Sequence, residues 1–234
     1  MRRSEPGEPP AAAWSEAVAR ALPVYGYAGD GAARQRMAAY LAGVAAAQAR
    51  VRLVGEATPE ALARRHLGES LYLGAVLPLG RQRVVDLGAG AGFPGLALAL
   101  GWPGLNTTLV ESNQKKAAFL RAAVKALGLG AQVTVWEGYL ERRPRDGERG
   151  PLAGADLVAA RALEQMERLP GWLGRWLEPG TRVALWTTRA QAESWRRQHP
   201  AWAWGEFHPL PGARARGILL AQWPGAVPRE TKAA

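Results

Sequence analysis

The residues best suited to chemistry lie in one glycine-rich stretch, residues 84–95. An apolar run ends there at Asp86, and glycines follow at every second position, at Gly88, Gly90 and Gly92. This pattern predicts a strand, a tight turn and the start of a helix. Glycine in the turn permits positive φ and lets the backbone approach a bound molecule closely, because no Cβ intervenes. We therefore expect a ligand to bind at this turn.

Two classes of ligand compete for the turn. Gly90, Gly92 and Gly95 match the dinucleotide-binding fingerprint, and Glu111 could then bind a ribose hydroxyl. Asp86 and the glycines after it instead match the loop by which Rossmann-like methyltransferases hold S-adenosylmethionine. A pyrophosphate would be repelled by a carboxylate at the strand end, whereas S-adenosylmethionine carries a sulfonium and an ammonium against one carboxylate. Charge therefore favours S-adenosylmethionine over a nicotinamide or flavin, and a turn without a ligand is the third alternative.

Further candidates follow the predicted strands. Glu111 ends the second predicted strand. Its carboxylate can accept hydrogen bonds from both hydroxyls of the ribose of S-adenosylmethionine, the methyl donor. Ser112 and Asn113 can reach the ribose or adenine, but capping the next helix explains them equally well. Glu141 follows the third strand and is either an acceptor for the adenine amino group or one more charge in a polar loop.

Arg161 is predicted at the end of the fourth strand. In Rossmann-like methyltransferases this position faces the site of methyl transfer. Amino methyltransferases acting on adenine or cytosine usually have Asp/Asn-Pro-Pro-aromatic there, which this chain lacks. The absence of cysteine argues against C5-cytosine chemistry. A guanidinium suits an acceptor-rich group, such as the donor's carboxylate, a phosphate or the O6/N7 edge of guanine.

The composition excludes several other kinds of site. With no cysteine, the chain has no disulfide, thiolate metal site or cysteine nucleophile. His66, His199 and His208 show no ligand spacing, so no metal is expected. The formal net charge of +10 favours an anionic partner, for which RNA is the commonest choice. The densest arginine groups, at 142–145, 196–197 and 214–216, are each more typical of a solvated surface than of a phosphate track.

The chain is also expected to be cytoplasmic. The arginines at residues 2–3 have no apolar segment behind them, which argues against export. The uncharged run 87–105 is long enough to suggest a membrane span, but glycines and prolines interrupt it. We therefore predict no membrane association.

The elements that must position these residues alternate along the chain. We predict strands at the start of 84–95 and at 106–111, 132–136, 156–160, 182–187, 202–208 and 217–223. Helices are predicted at 96–101, 114–127, 162–177 and 190–199, with a loop over 140–154. Before residue 80 we predict helices near 11–22, 31–54 and 58–65, with loose packing up to residue 30.

This order predicts an α/β fold. Helices would wrap a seven-stranded, mostly parallel sheet and ligands would bind at the carboxyl ends of its strands. We divide the chain into an N-terminal helical extension (1–80), a Rossmann-like methyltransferase domain (81–223) and a flexible tail (224–234).

Over about residues 51–222 the chain resembles a known family, the bacterial 16S ribosomal RNA guanine-N7 methyltransferases first named glucose-inhibited division protein B. The most specific parts of the resemblance are residues 86–96, Glu111 with Lys115, Lys116, Phe119 and Leu120, and residues 160–162. Residues 66–71 resemble the family's His-x-x-Asp-Ser-Leu element. Continuation of the glycine loop by Phe93-Pro94-Gly95 separates this family from methyltransferases at large.

The resemblance implies S-adenosylmethionine as methyl donor and N7 of a guanine in the 530 loop of 16S ribosomal RNA as acceptor. The partner would be 16S ribosomal RNA or a small-subunit precursor particle. The donor-binding candidates are Asp86, Gly88, Gly90, Gly92, Phe93, Glu111, Ser112, Asn113, Leu140, Glu141 and Arg161. Arg161 would also orient the reacting groups without a general base. The substrate-facing candidates are His66, Ser70, Lys115 and Lys116.

Two departures from the family fall on the presumed substrate side. Arg52 replaces the asparagine of Val-Asn-Leu-Thr, and Trp186 replaces the lysine of Met-Lys-Gly. Two alternatives therefore stay open. One is a methyltransferase for a small molecule or another RNA site, and the other is an RNA- or ribosome-binding protein with a vestigial donor site.

Overall fold

Seven strands form one sheet in the part of the chain that the computed structural model describes, residues 9–139, 150–163 and 166–225. The strands are β1 (Arg83–Leu87), β2 (Asn106–Glu111), β3 (Val133–Glu137), β4 (Leu157–Arg161), β5 (Arg182–Thr188), β6 (Ala203–Leu210) and β7 (Ala213–Gln222). Each overlaps a predicted strand, and β2 has the predicted bounds.

The strand order is β3-β2-β1-β4-β5-β7-β6. Strands β1 to β5 are parallel, whereas β7 lies antiparallel between β5 and β6. The predicted seven-stranded, mostly parallel sheet is confirmed. The order changes direction at β1 and β4, and in open α/β sheets ligands bind in the crevice outside the carboxyl ends of strands at such a point. The glycine loop and Arg161 lie at these two strand ends.

Helices surround the sheet. They are α1 (Ala11–Ala21), α2 (Gly31–Ala47), α3 (Pro59–Ala61), α4 (Glu69–Leu71), α5 (Leu73–Val76), α6 (Gly95–Gly101), α7 (Gln114–Ala126), α8 (Leu169–Leu173) and α9 (Arg189–Gln198). A π-helix, Leu62–Gly68, joins α3 to α4, and 3₁₀ turns lie at Leu22–Tyr25 and Met166–Arg168. We call α3, the π-helix and α4 together the 59–71 segment.

The 59–71 segment begins as the sequence predicts but continues beyond the predicted end at residue 65. The Thr58 hydroxyl accepts the Ala61 N–H at 3.3 Å, and Pro59 occupies the first turn, where its missing N–H costs nothing. The helix over 31–54 instead ends early, at Ala47. Gln48 stops it, because its side-chain oxygen accepts the backbone N–H groups of Leu53 and Val54 at 2.9 and 3.1 Å.

Two other predictions about helices are wrong. Residues up to 30 are not loosely packed throughout, because Trp14 and Val18 of α1 are buried in the hydrophobic core that α2, α6 and α7 share. The helix over 162–177 is also wrong. Ala162 has a φ of 52°, and Pro170 admits a helix only from Leu169 onward, since a proline fits the first turn but not a helix interior.

Both faces of the sheet are covered by apolar contacts. Val85 and Leu87 of β1 point into the core on the side of α8 and α9, whereas Val84 points into a core with Leu98 of α6. This alternation follows from the two-residue period of a strand. Among the described helices, none is both long and apolar enough to cross a membrane. The predicted tail lies outside the described residues from 226 onward.

Candidate functional site

The glycine loop follows β1 at the carboxyl edge of the sheet. Gly88, Gly90 and Gly92 have positive φ values of 67°, 57° and 97°. A Cβ on Gly90 would have no close neighbour, the nearest being the carbonyl oxygen of Gly88 at 3.7 Å. A Cβ on Gly88 would lie 2.1 Å from Cδ2 of Leu163. The loop is therefore closely packed at Gly88 and has free space beside Gly90.

Glu111 ends β2 next to this loop and has a buried side chain. Its Oε2 accepts the backbone N–H of Gly90 at 2.8 Å, and its Oε1 accepts the backbone N–H of Asn113 at 2.8 Å. An ionised carboxylate offers about four acceptor positions. About two positions on Glu111 therefore remain for the hydroxyl or amino groups of a ligand.

Asp86 is hydrogen-bonded to the end of the glycine loop. It is fully buried, and its Oδ2 accepts the backbone N–H of Gly95 at 2.7 Å. A Cβ on Gly95 would lie 2.7 Å from Cβ of Asp86, so the two residues approach as only glycine allows. Oδ1 of Asp86 has no hydrogen-bond partner among the described residues. Burial raises the pKa of Asp86 to about 7, against the lowering effect of the Gly95 hydrogen bond.

Phe93 connects the loop to the N-terminal helices. Its ring lies 5.2 Å from the ring of Tyr40 in α2 and 5.2 Å from the ring of His66 in the π-helix. The Tyr40 hydroxyl donates to the carbonyl of Ala91 at 2.5 Å. Burial, assisted by the charges of Arg161 and a neighbouring arginine, lowers the pKa of His66 to about 4. The imidazole that covers the loop is therefore neutral near pH 7.

Arg161 ends β4, as predicted, but its terminal nitrogens face the 59–71 segment. Nη2 donates to Oε2 of Glu69 at 2.7 Å and to the carbonyl of Arg65. Nη1 donates to the carbonyl of His66 at 3.3 Å and to the hydroxyl of Ser70 at 3.5 Å. All four terminal N–H groups are thereby used within the protein. Direct two-point contact between Arg161 and a ligand stays a prediction.

The other predicted site residues fall into four groups. Ser70 is buried and donates to the carbonyl of His66 at 2.6 Å, so its hydroxyl is not presented to a substrate in this arrangement. Asn113 caps α7 by accepting the backbone N–H groups of Lys115 and Lys116 at 3.0 and 3.2 Å. Ser112 and Lys115 are exposed, whereas Lys116 is half-buried. Leu140, Glu141 and the 142–145 arginine group lie outside the described residues.

Sequence reasoning missed three residues that shape the site. Tyr40 holds the loop through Ala91, and both Glu69 and Arg216 belong to the charge cluster around Arg161. The acid within the 66–71 motif was the available signal for Glu69. Across the residues described, no group of three or more histidine and acidic side chains is arranged to hold a metal ion.

Comparisons with known proteins agree with this arrangement. A crystal structure of an RNA methyltransferase from Salinibacter ruber, in complex with S-adenosyl-L-homocysteine, superposes with a TM-score of 0.52. The superposition covers 69% of this chain and 94% of that one at 18% identity, so it bears on the fold alone. The shared fold is the Rossmann-like methyltransferase fold that the sequence predicted.

Two relatives carry the name ribosomal RNA small subunit methyltransferase G. The protein from Paramagnetospirillum magneticum is 44% identical over 126 residues, which are 53% of this chain and 56% of that protein. The protein from Rhodospirillum centenum is 38% identical over 168 residues, 71% of this chain and 73% of that protein. The chain thus spans a little over half of the first relative's length and nearly three quarters of the second's.

A family model matches most of the chain. The GidB model, described as rRNA small subunit methyltransferase G, matches residues 33–210. The match runs from α2, which holds the glycine loop, to the end of β6, and so includes every described element of the site except Arg216. The chain therefore belongs to the GidB family of rRNA small subunit methyltransferase G.

Proposed function

We propose that this protein transfers a methyl group from S-adenosylmethionine to N7 of a guanine in the 530 loop of 16S ribosomal RNA. The observation that carries the proposal is the pairing of the open glycine loop with Glu111, joined by the 2.8 Å hydrogen bond from Gly90 to its carboxylate. An acid at the end of β2 and a close backbone approach after β1 are what binding of an adenosyl ribose requires. Family membership supports the choice of substrate.

The residues present fit this donor. The remaining acceptor positions of Glu111 would receive the ribose hydroxyls, and the space beside Gly90 would accept the body of the ligand. The orphaned Oδ1 of Asp86 adds negative potential behind the loop when the group is ionised, which suits a cation better than a pyrophosphate. With a pKa of about 7, Asp86 carries only part of a charge near neutral pH, so its preference for a cationic ligand is weaker than the sequence alone indicates.

For this reaction the protein needs mainly to orient the methyl donor and the guanine base. S-adenosylmethionine supplies an electrophilic methyl group, and guanine N7 offers a lone pair that is unprotonated at neutral pH, so no general base is needed. Positioning and exclusion of water should supply most of the rate. His66, with its pKa lowered to about 4, is a neutral imidazole at the edge of the loop and offers a flat, uncharged surface to a base.

The charge of the chain supports an RNA partner. Its +10 net charge suits 16S ribosomal RNA or a small-subunit precursor particle, and such a substrate would place the enzyme in the cytoplasm. On the surface near the site, Arg64 and Arg65 are exposed in the 59–71 segment, and Arg216 is half-exposed in β7. Cations so placed can contact phosphates while a base enters the site.

The experiment is transfer from methyl-labelled donor onto small-subunit RNA taken from cells that lack the modification. We expect label in 16S ribosomal RNA, either naked or within the precursor particle, and none in large-subunit RNA tested alongside. Label on a small molecule only would favour the small-molecule alternative. Donor binding without any transfer would favour the vestigial site.

A further inference from the structure

Glu69 is the residue at which the N-terminal helices are fastened to the sheet. Its Oε2 accepts from Nη2 of Arg161 in β4 at 2.7 Å, and its Oε1 accepts from Nη2 of Arg216 in β7 at 3.0 Å. Its backbone carbonyl accepts the indole N–H of Trp186 in β5 at 2.8 Å. Three strands thus converge on one residue of α4, near the carboxyl ends of β4 and β5.

The ion cluster at Glu69 is shielded from water on one side. The side chain of Glu69 is 4% exposed and that of Arg161 is 14% exposed, whereas that of Arg216 is 51% exposed. Charge-assisted hydrogen bonds of this kind are about twice as strong as neutral ones. Removal of the carboxylate would leave the guanidinium of Arg161 buried without its counter-ion, which is far more costly than the loss of a surface pair.

The same segment reaches the glycine loop. His66 lies one turn before Glu69, its carbonyl accepts from Arg161 at 3.3 Å, and its ring lies 5.2 Å from that of Phe93. A change in the orientation of Glu69 would therefore displace both Arg161 and the imidazole that covers the loop. The cluster includes one donor-binding candidate, Arg161, but none of the contacts of Glu111 with the glycine loop.

We propose that Glu69 is a positioning residue for methyl transfer. By holding Arg161 and Arg216 with its two carboxylate oxygens, it sets the 59–71 segment against the glycine loop in the geometry that transfer requires. This inference rests on the proposed function for its kinetic consequence. The attachment of the 59–71 segment to the sheet through Glu69 can be measured without methyl transfer.

The first test compares Glu69→Gln with Glu60→Gln. Glutamine at residue 69 keeps the size and loses the charge, so single-turnover transfer at saturating donor and RNA should fall about a hundredfold, as expected for a displacement of about 1 Å at the site. Donor affinity measured by calorimetry should fall by no more than about tenfold, because Arg161 moves whereas Glu111 and its contact with the glycine loop are untouched. Glu60 makes an exposed pair with Arg20 at 2.8 Å, and its variant should match the wild type. A wild-type rate in folded Glu69→Gln, or an equal loss of rate and donor affinity, would overturn the proposal.

A double-mutant cycle tests whether Glu69 acts through Arg161. In an Arg161→Lys background, Glu69→Gln should slow transfer by no more than about threefold, because the partner it orients is already altered. Effects that multiply in the double variant would show two independent roles and overturn the proposal. If Glu69→Gln does not fold, Glu69→Asp serves instead. It keeps the charge but, one methylene shorter, should give a rate between those of the wild type and Arg161→Lys.

A third measurement does not depend on methyl transfer. The His66 imidazole, titrated by NMR, should have a pKa near 4 in the wild type and move towards the ordinary 6.5 in Glu69→Gln, because a loosened segment exposes the ring. Loss of a negative charge in a rigid structure would shift the pKa the other way. An unchanged or lower pKa in Glu69→Gln would therefore overturn the positioning role of Glu69. If Glu69→Gln shifts the pKa of His66 as expected but the wild type transfers no methyl group, the proposed function alone is refuted.

Discussion

Residue 90 decides whether the glycine loop can accept a ligand. Gly90 combines a φ of 57° with free space where a side chain would lie. In Gly90→Val a branched side chain would fill that space and strain the loop, so donor affinity should fall by about tenfold or more. Gly128→Val is the matched control, because Gly128 has a φ of 68° and open surroundings at the far end of α7. Calorimetry with S-adenosylmethionine should show wild-type affinity in the control and weakened binding in Gly90→Val, and wild-type affinity in a folded Gly90→Val protein would refute the site.

A second prediction about a single residue concerns how the free energy of unfolding depends on pH. The pKa of Asp86 is raised by burial from 3.8 to about 7, so the folded protein binds this proton more tightly than the unfolded chain does. Its contribution is complete below about pH 4 and is lost as the pH rises through 7. One pKa unit corresponds to about 1.4 kcal/mol, so the full loss is about 4 kcal/mol. The lowered pKa of His66 acts in the opposite sense, adding stability as the pH rises from about 4 to 6.5.

Asp86→Asn isolates the first of these two effects. The free energy of unfolding of the variant, taken relative to the wild type at each pH, should rise by up to about 4 kcal/mol between pH 4 and pH 7. Urea unfolding at a series of pH values measures it, and the contribution of His66 cancels in the comparison. A difference that stays constant with pH would mean that folding does not raise the pKa of Asp86.

The sequence predicts that the candidate site residues lie at strand ends, but it does not predict which residues contact them. Glu111 and Arg161 were predicted correctly at the ends of β2 and β4, because a short apolar run that stops at a charged residue is readable locally. The contacts of Arg161 with Glu69 and of Glu69 with Arg216 join residues 92 and 147 apart in the chain. The spacing of apolar residues along the chain does not predict such long-range contacts, because they depend on how the N-terminal helices pack against the sheet.

At the scale of elements, α1 is part of the core. Trp14 is 3% exposed and belongs to the cluster that includes Phe93 and Leu96, so Trp14→Ala should lower the free energy of unfolding by about 3–5 kcal/mol. Val24 lies just beyond α1 and is 48% exposed, and Val24→Ala should change it by less than about 0.5 kcal/mol. Chemical denaturation measures both. Equal, small effects would mean that α1 is dispensable to the fold.

The elements themselves were predictable where local patterns are strong. Alternating apolar runs and turn residues were enough for every strand and for α6, α7 and α9. The helix α1 was predicted, but its packing was underestimated because its burial depends on tertiary contacts with the rest of the core. The long helix predicted over 162–177 was wrong because the helical pattern there was given more weight than Pro170 and its neighbouring glycines.

On the scale of the whole molecule, the +10 charge should govern binding of RNA. Each neutralised phosphate releases roughly one counter-ion, so the affinity should fall steeply and linearly on a logarithmic plot against salt concentration. Filter binding of small-subunit RNA over a range of salt measures the slope. Affinity that does not respond to salt would favour a small-molecule acceptor.

The central claim is transfer to N7 of a guanine in one loop of 16S ribosomal RNA, and mapping of the methylated atom tests it most directly. A guanine methylated at N7 carries a positive charge that makes the strand cleavable after reduction and aniline treatment. Small-subunit RNA lacking the modification should become cleavable at a single guanine in the 530 loop after incubation with donor and protein, and should stay intact with Gly90→Val. Methylation at another atom or outside that loop, or no methylation of the RNA at all, would contradict the claim.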